Sequence, residues 1–348
     1  MSKNGFNNKE IFEYLKPNDN TLLSEFDEYD LYDTLRLINQ YYLEFRRSLG
    51  LNERITYGFE LEFEHADNKR IEEELMLEDL DYRWYITKDK SLTNGGEIPS
   101  PVLTDRKKDW DELTRVCNII ENNARIDCNS SSHIHIGTQI LGEKSAWRNF
   151  LLLWATYENI IYRFTAGEYI NPRAGVETYA HPVSINFMDL YTALYNEFNW
   201  NDTFTLIRLR KALGYRGSNF DRYQAVNFSH ATNRFYEYDD NTIEFRTPNG
   251  TLEPIILQNN LNFIIALINY CKSSKFDEDT IMKRYFKSPH STNIYLYRNI
   301  YLEQAIELAD LIFKSNIDKI YFLRQYLKSF QETDFYDEFV KAKRFIKK

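Results

Sequence analysis

Glycine and proline are scarce in this chain of 348 residues, at 12 and 8. A globular sequence of that length ordinarily carries ~24 and ~17, so collagen-like, linker-like and low-complexity readings are excluded. Cysteine is scarcer still. Cys117, Cys128 and Cys271 show no C-x-x-C spacing. That excludes a zinc ribbon and fits unpaired thiols in a reducing compartment. No basic stretch followed by an apolar one opens the sequence, so no secretory signal is expected. Apolar runs such as Phe150–Ala155 fall far short of the ~20 residues that span a bilayer. Basic residues are outnumbered 43 to 52, for a net charge of −9, which opposes a nucleic-acid scaffold. The expectation is a soluble, cytoplasmic protein with neither nucleic acid nor membrane as partner.

What the chain has in abundance is aromatic surface: 26 tyrosines, 24 phenylalanines and 5 tryptophans. That supplies ample apolar area for a core and argues against disorder. The few glycines are unevenly placed, ten of the twelve lying between Gly58 and Gly250 and none after it. Where glycine is rare, each one is expected to mark a tight turn or a close approach to a ligand.

Periodicity divides the chain in three. Residues 1–50 read as a mostly helical extension, with Leu31, Leu35, Ile38, Tyr42 and Phe45 near helical spacing and Gly50 as the stop. Residues 51–260 mix strands and helices. Strands are expected at 57–64, 82–86, 97–103, 132–139, 225–229 and 242–247, and helices at 107–123 and 146–165. Residues 261–348 read as a helical segment packed on or beside this core, within helices expected at 256–273, 298–315, 317–331 and 335–347. Without a regular βαβ rhythm, the expected fold class is α+β, built on a mainly antiparallel sheet.

Neither G-x-x-x-x-G-K-[ST] nor G-x-G-x-x-G occurs, so a bound nucleotide would have to be held by side chains and ions. Four extended segments offer such groups. In Tyr57-Gly58-Phe59-Glu60-Leu61-Glu62-Phe63-Glu64, the three glutamates share a face and the apolar residues share the other. A solvated acidic face is the ordinary alternative to a carboxylate site for hard divalent cations. In Ser132-His133-Ile134-His135-Ile136-Gly137 two of only six histidines share a face, a pattern suited to a metal or an anion. Thr242-Ile243-Glu244-Phe245-Arg246 places an acid beside an arginine, either a simple ion pair or a site where the guanidinium neutralises a phosphoryl group. Asp89 and Glu97 flank the turn that leads into Gly95-Gly96-Glu97-Ile98-Pro99-Ser100-Pro101.

The order GFELEFE, D-x-S-L, GGEIPSP, SHIHIG, IEFRTPNGT, spread over residues 55–260, resembles the amidoligase family. That family belongs with the carboxylate–amine ligases, together with glutamine synthetase and glutamate–cysteine ligase. The resemblance implies a curved antiparallel sheet whose concave face holds ATP, two or more Mg²⁺ or Mn²⁺ ions and a carboxylate substrate. It implies metal ligands at Glu60, Glu62, Glu97, His133 and Glu244. It also implies a phosphate-binding Arg246 and a His135 that faces substrate or phosphate. Further nucleotide contacts are implied at Arg222, Asn227, Asp89 and Arg173. The chain departs from the family at Ser131, where a glycine often precedes the H-x-H pair.

The activity so implied is ATP-dependent amide or isopeptide formation through an acyl phosphate, joining a carboxylate to an amine or ammonia. The acceptor is a small molecule, a peptide or a protein. Two readings from other classes stand beside it. One is a non-catalytic relative acting as a binding or structural module; the other is a metal hydrolase that works without ATP.

Overall fold

The computed structural model describes residues 8–142, 144–188, 191, 223–228, 241–291, 293–328, 341–342 and 345–347. Helices α1 (Ile11–Tyr14) and α2 (Glu28–Gln40) precede strand β1 (Tyr57–Phe63), and α3 (Asn68–Leu77), β2 (Gly96–Pro99), α4 (Lys107–Asn123) and β3 (Ser132–Gly137) follow. Next come α5 (Lys144–Thr156), α6 (Glu158–Thr165), the single turn α7 (Val176–Tyr179), β4 (Val226–Asn227) and β5 (Thr242–Phe245). Helices α8 (Pro254–Cys271), α9 (Glu278–Tyr285), α10 (Leu302–Ile312) and α11 (Asn316–Leu327) close the described order.

The five strands form one open antiparallel sheet in the order β2-β1-β3-β5-β4. The fold is α+β, as the element pattern predicts. Strand alternation decides which face is covered. Phe59, Leu61, Phe63, Ile98, Ile134, Ile136, Ile243 and Phe245 are all buried. The rings of Tyr57 and Phe59 pack on Trp110 of α4, and Phe245 packs on Phe150 and Trp154 of α5. The polar residues of the same strands are thereby turned to the opposite face. Helix α8 starts with Pro254 in its first turn, where the missing N–H costs nothing. It runs against α5, α10 and α11, and is buried almost all round. No helix among the described residues is long and apolar enough to cross a membrane.

Four expectations are corrected. Residues 82–86 form no strand; only Thr87 pairs, with Glu97, because residues 81–83 turn instead. Helix α2 stops at Gln40, ten residues before Gly50, since Leu43 is drawn into extended pairing with Phe345 and Lys347. That pairing, with a bridge between Tyr169 and Lys341, also keeps the described residues of 335–347 out of a helix. The apolar helix expected over 146–165 is two helices broken at Tyr157. There the buried Glu158 carboxylate accepts hydrogen bonds from Trp154 Nε1 and from the Val183 and Ser184 amides. Helices α3 and α9 are additions to the expected set. Each is started by an aspartate, Asp67 or Asp277, that caps an amide of the first turn.

Candidate functional site

Cross-strand register assembles the polar face. Glu62 stands opposite Glu97, Glu60 opposite His133, and His135 opposite Glu244, which in turn faces Asn227. Residues as far apart in sequence as Glu60 and Glu244 thus share one face of the sheet, in strands ~4.8 Å apart.

The first cluster holds Glu60, His133 and Glu244, whose ligand atoms lie within 4.8 Å of one another. Glu60 Oε2 is 2.9 Å from His133 Nδ1, and Glu60 Oε1 is 2.9 Å from His135 Nε2. Glu244 Oε1 is 3.3 Å from the same His133 Nδ1 and pairs with the Arg246 guanidinium. Asn227 Nδ2 donates to the other oxygen of Glu244. Burial alone would raise both carboxyls. The hydrogen bonds from His133 and His135 override it and hold Glu60 well below its ordinary range. The charges of His133 and Arg246 do the same for Glu244. Burial would lower His135, yet its bond to Glu60 holds it above its usual value.

The second cluster holds Glu62, Asp89 and Glu97, again with ligand atoms within 4.8 Å. It is all carboxylate. Burial and the charges of Glu60, Glu62 and Asp89 push Glu97 up to about 8. Asp89 reaches the cluster through a turn: Thr87 exchanges two backbone hydrogen bonds with Glu97, and Asp89 Oδ1 accepts the Ser91 amide at 2.6 Å. Glu64, directly after β1, is used differently, its two oxygens accepting the Thr93 and Asn94 amides. Gly95 follows at once, and a Cβ there would lie 1.8 Å from the Phe63 carbonyl oxygen. Only glycine lets this turn lie against β1 and deliver Glu97.

Two guanidiniums accompany the clusters. Arg246 Nε donates to the Tyr179 carbonyl at 2.9 Å. Arg173 is 4% exposed; among the described residues its side chain makes one long bond of 3.5 Å, to the Arg246 carbonyl, and its Nε finds no acceptor. Burial pulls its guanidinium below the ordinary value, while the charge of Glu62 acts the other way. A buried cation so poorly compensated suits an anionic ligand. Arg222 lies outside the described residues. Beside Glu60 and His135 a hollow of about 230 Å³ opens, lined also by Gly58, Ser100, Val102 and Thr242.

The donor sets fit hard divalent cations: five carboxylates and one imidazole offer oxygen and nitrogen ligands in two groups of three. The raised Glu97 adds to the fit, because a cation there would relieve the repulsion that keeps its proton on.

Sequence reasoning missed three supporting residues. Ser131 donates its amide to Glu62 Oε2, and its Oγ lies 2.8 Å from His133 Nε2. Thr242 Oγ1 lies 3.1 Å from His135 Nδ1. Asn249 Oδ1 accepts the Arg173 amide at 2.7 Å, tying that loop to the face. The Asn249 signal was available in the TPNGT run, whose Gly250 would place a Cβ 2.7 Å from that of Ser130. The close approach at Ser130 is thus made by Gly250, and Ser131 itself has no left-handed backbone to accommodate.

No curated protein matches the chain. A family described as "Putative amidoligase enzyme" matches residues 81–268, over half of the sequence. The match takes in Asp89, Glu97, His133, His135, Arg173, Asn227, Glu244 and Arg246, and begins after β1, so Glu60 and Glu62 join the site through strand pairing. On that match the chain belongs to this amidoligase family.

Proposed function

We propose that the chain is an ATP-dependent carboxylate–amine ligase. The observation that carries the reading is one sheet face with two three-ligand clusters beside a buried arginine that forms no ion pair among the described residues. In this reading Glu60, His133 and Glu244 would hold one Mg²⁺ or Mn²⁺ ion, and Glu62, Asp89 and Glu97 a second. Such ions supply charge neutralisation and orientation of phosphate oxygens. Asn227 acts through Glu244, which its amide nitrogen holds. Arg246 and Arg173 bind the anionic groups, and His135 faces the hollow in which the organic substrate lies.

The reaction follows from the poor electrophilicity of a carboxylate. One carboxylate oxygen takes the γ-phosphoryl group of ATP, and ADP leaves. The amine nitrogen then bonds the carbonyl carbon, the bond to the phosphate oxygen breaks, and inorganic phosphate and a proton depart. Phosphoryl transfer asks for positioning and electrostatic stabilisation more than covalent help. Side chains and ions can provide both without a glycine-rich phosphate loop.

The test is ADP release with Mg²⁺ across a panel of amino acids, polyamines and peptides. Release that needs both a carboxylate and an amine supports the ligase. No ADP release with any acceptor, together with no metal-dependent ATP binding, overturns it; metal-dependent hydrolysis without ATP would point to a hydrolase instead.

A further inference from the structure

Ser131 is fully buried between the two clusters and touches a member of each. Toward Glu62 it uses only its backbone: its amide donates to Glu62 Oε2 at 2.7 Å, and its carbonyl accepts the Glu62 amide at 3.1 Å. Toward His133 it uses its side chain, with Oγ 2.8 Å from Nε2. The opposite ring nitrogen, Nδ1, lies 2.9 Å from Glu60 Oε2 and 3.3 Å from Glu244 Oε1. A cation among these three residues therefore meets Nδ1 and needs its lone pair. The ring proton must then sit on Nε2, where it donates to the serine hydroxyl.

We infer that Ser131 is a positioning residue for the Glu60–His133–Glu244 cluster: when a cation takes the place of the Nδ1 proton that Glu60 accepts, the serine hydroxyl holds the remaining ring proton on Nε2 and aims Nδ1 at the cation. The inference rests on the two-ion reading proposed above. Its reach is one-sided. Any residue but proline at this position supplies the amide that holds Glu62, whereas support of His133 needs a side chain that can accept its hydrogen bond, as the serine hydroxyl does. A glycine, which the resembled family often carries here, would keep the first contact and lose the second.

The test is a Mn²⁺ titration of the full chain, followed by electron paramagnetic resonance, on wild type, Ser131→Ala and Ser131→Thr. Wild type is expected to bind two ions, one of them showing nitrogen hyperfine coupling from His133. Ser131→Ala is expected to weaken that ion ~10–100-fold, the usual loss for an outer hydrogen-bond partner, and to leave the other within about twofold. Ser131→Thr, which restores a hydroxyl, should recover most of the affinity. A merely structural role would weaken both ions together, and that result overturns the inference, as does an alanine variant indistinguishable from wild type. Wild type that binds no Mn²⁺ overturns the two-ion reading itself, which separates the two failures.

Discussion

The two ligand clusters lie side by side on the same sheet face and handle crowded charge in opposite ways. In the Glu60–His133–Glu244 cluster, the acids are interleaved with His133, His135 and Arg246, so both carboxyls are held below their ordinary values despite burial. In the Glu62–Asp89–Glu97 cluster no basic side chain is interleaved among the described residues, and Glu97 is pushed up to about 8. The mixed cluster is thus largely satisfied by its own protein neighbours. Among the described residues the all-carboxylate cluster has no ion-paired counterion, and the nearby Arg173 acts on Glu62 without forming an ion pair. Charge pattern, more than ligand count, separates a cluster that is ordered before a cation arrives from one that the cation completes.

The sharpest way to break this difference is to remove one ligand. Glu62→Ala should reduce the number of tightly bound Mn²⁺ ions from two to one in a calorimetric titration. The loss should exceed the ~10–100-fold that an outer partner costs. Glu60→Ala should instead release His133 and His135 from their shared partner and disturb the mixed cluster.

Next in size is Arg246→Ala. It strips from Glu244 its guanidinium and from the proposed reaction its charge stabiliser, so turnover measured as ADP release should fall ~10²–10³-fold.

Acid titration gives a smaller and more selective contrast. Glu97 has its pKa raised above the unfolded value, so its contribution to stability is full below about 4.5 and is lost as pH rises through about 8. Glu60 and Glu244 have theirs lowered, so their contribution is present above the unfolded value and is lost as pH falls through the folded one. Melting temperatures of metal-free protein should therefore decline between pH 5 and 8 by more in wild type than in Glu97→Gln. Added Mg²⁺ should remove that extra decline.

The mildest change is Thr242→Val, which removes the hydroxyl beside His135 Nδ1. A single hydrogen bond is worth ~1 kcal/mol, so a loss of about fivefold in turnover is expected, with Mn²⁺ affinity nearly unchanged.

Much of this site was legible in the sequence, and the limit of legibility has a physical cause. A period of two is a local property, so the acidic face of β1, the paired histidines of β3 and the Glu244–Arg246 pair could be read directly. Which acid joins which histidine depends on cross-strand register, and register is not local. Hence Asp89, expected as a nucleotide contact, is found within ligand distance of Glu62 and Glu97. Ser131 was read as a replaced glycine, whereas in the fold the tight backbone contact belongs to Gly250 and the serine hydroxyl meets His133. The described residues of 335–347 were equally hidden, because their apolar spacing suits a helix and only long-range pairing with Leu43 and Tyr169 decides otherwise. Glycine placement proved more informative: Gly95 and Gly250 both mark close backbone approaches that bring site residues together.

The proposed function turns on two cations sharing one face. Anomalous diffraction from a crystal soaked with Mn²⁺ and ADP tests it most directly. Two peaks are predicted, one among Glu60, His133 Nδ1 and Glu244, the other among Glu62, Asp89 and Glu97. A face without anomalous signal, or a single ion bound elsewhere, would contradict it.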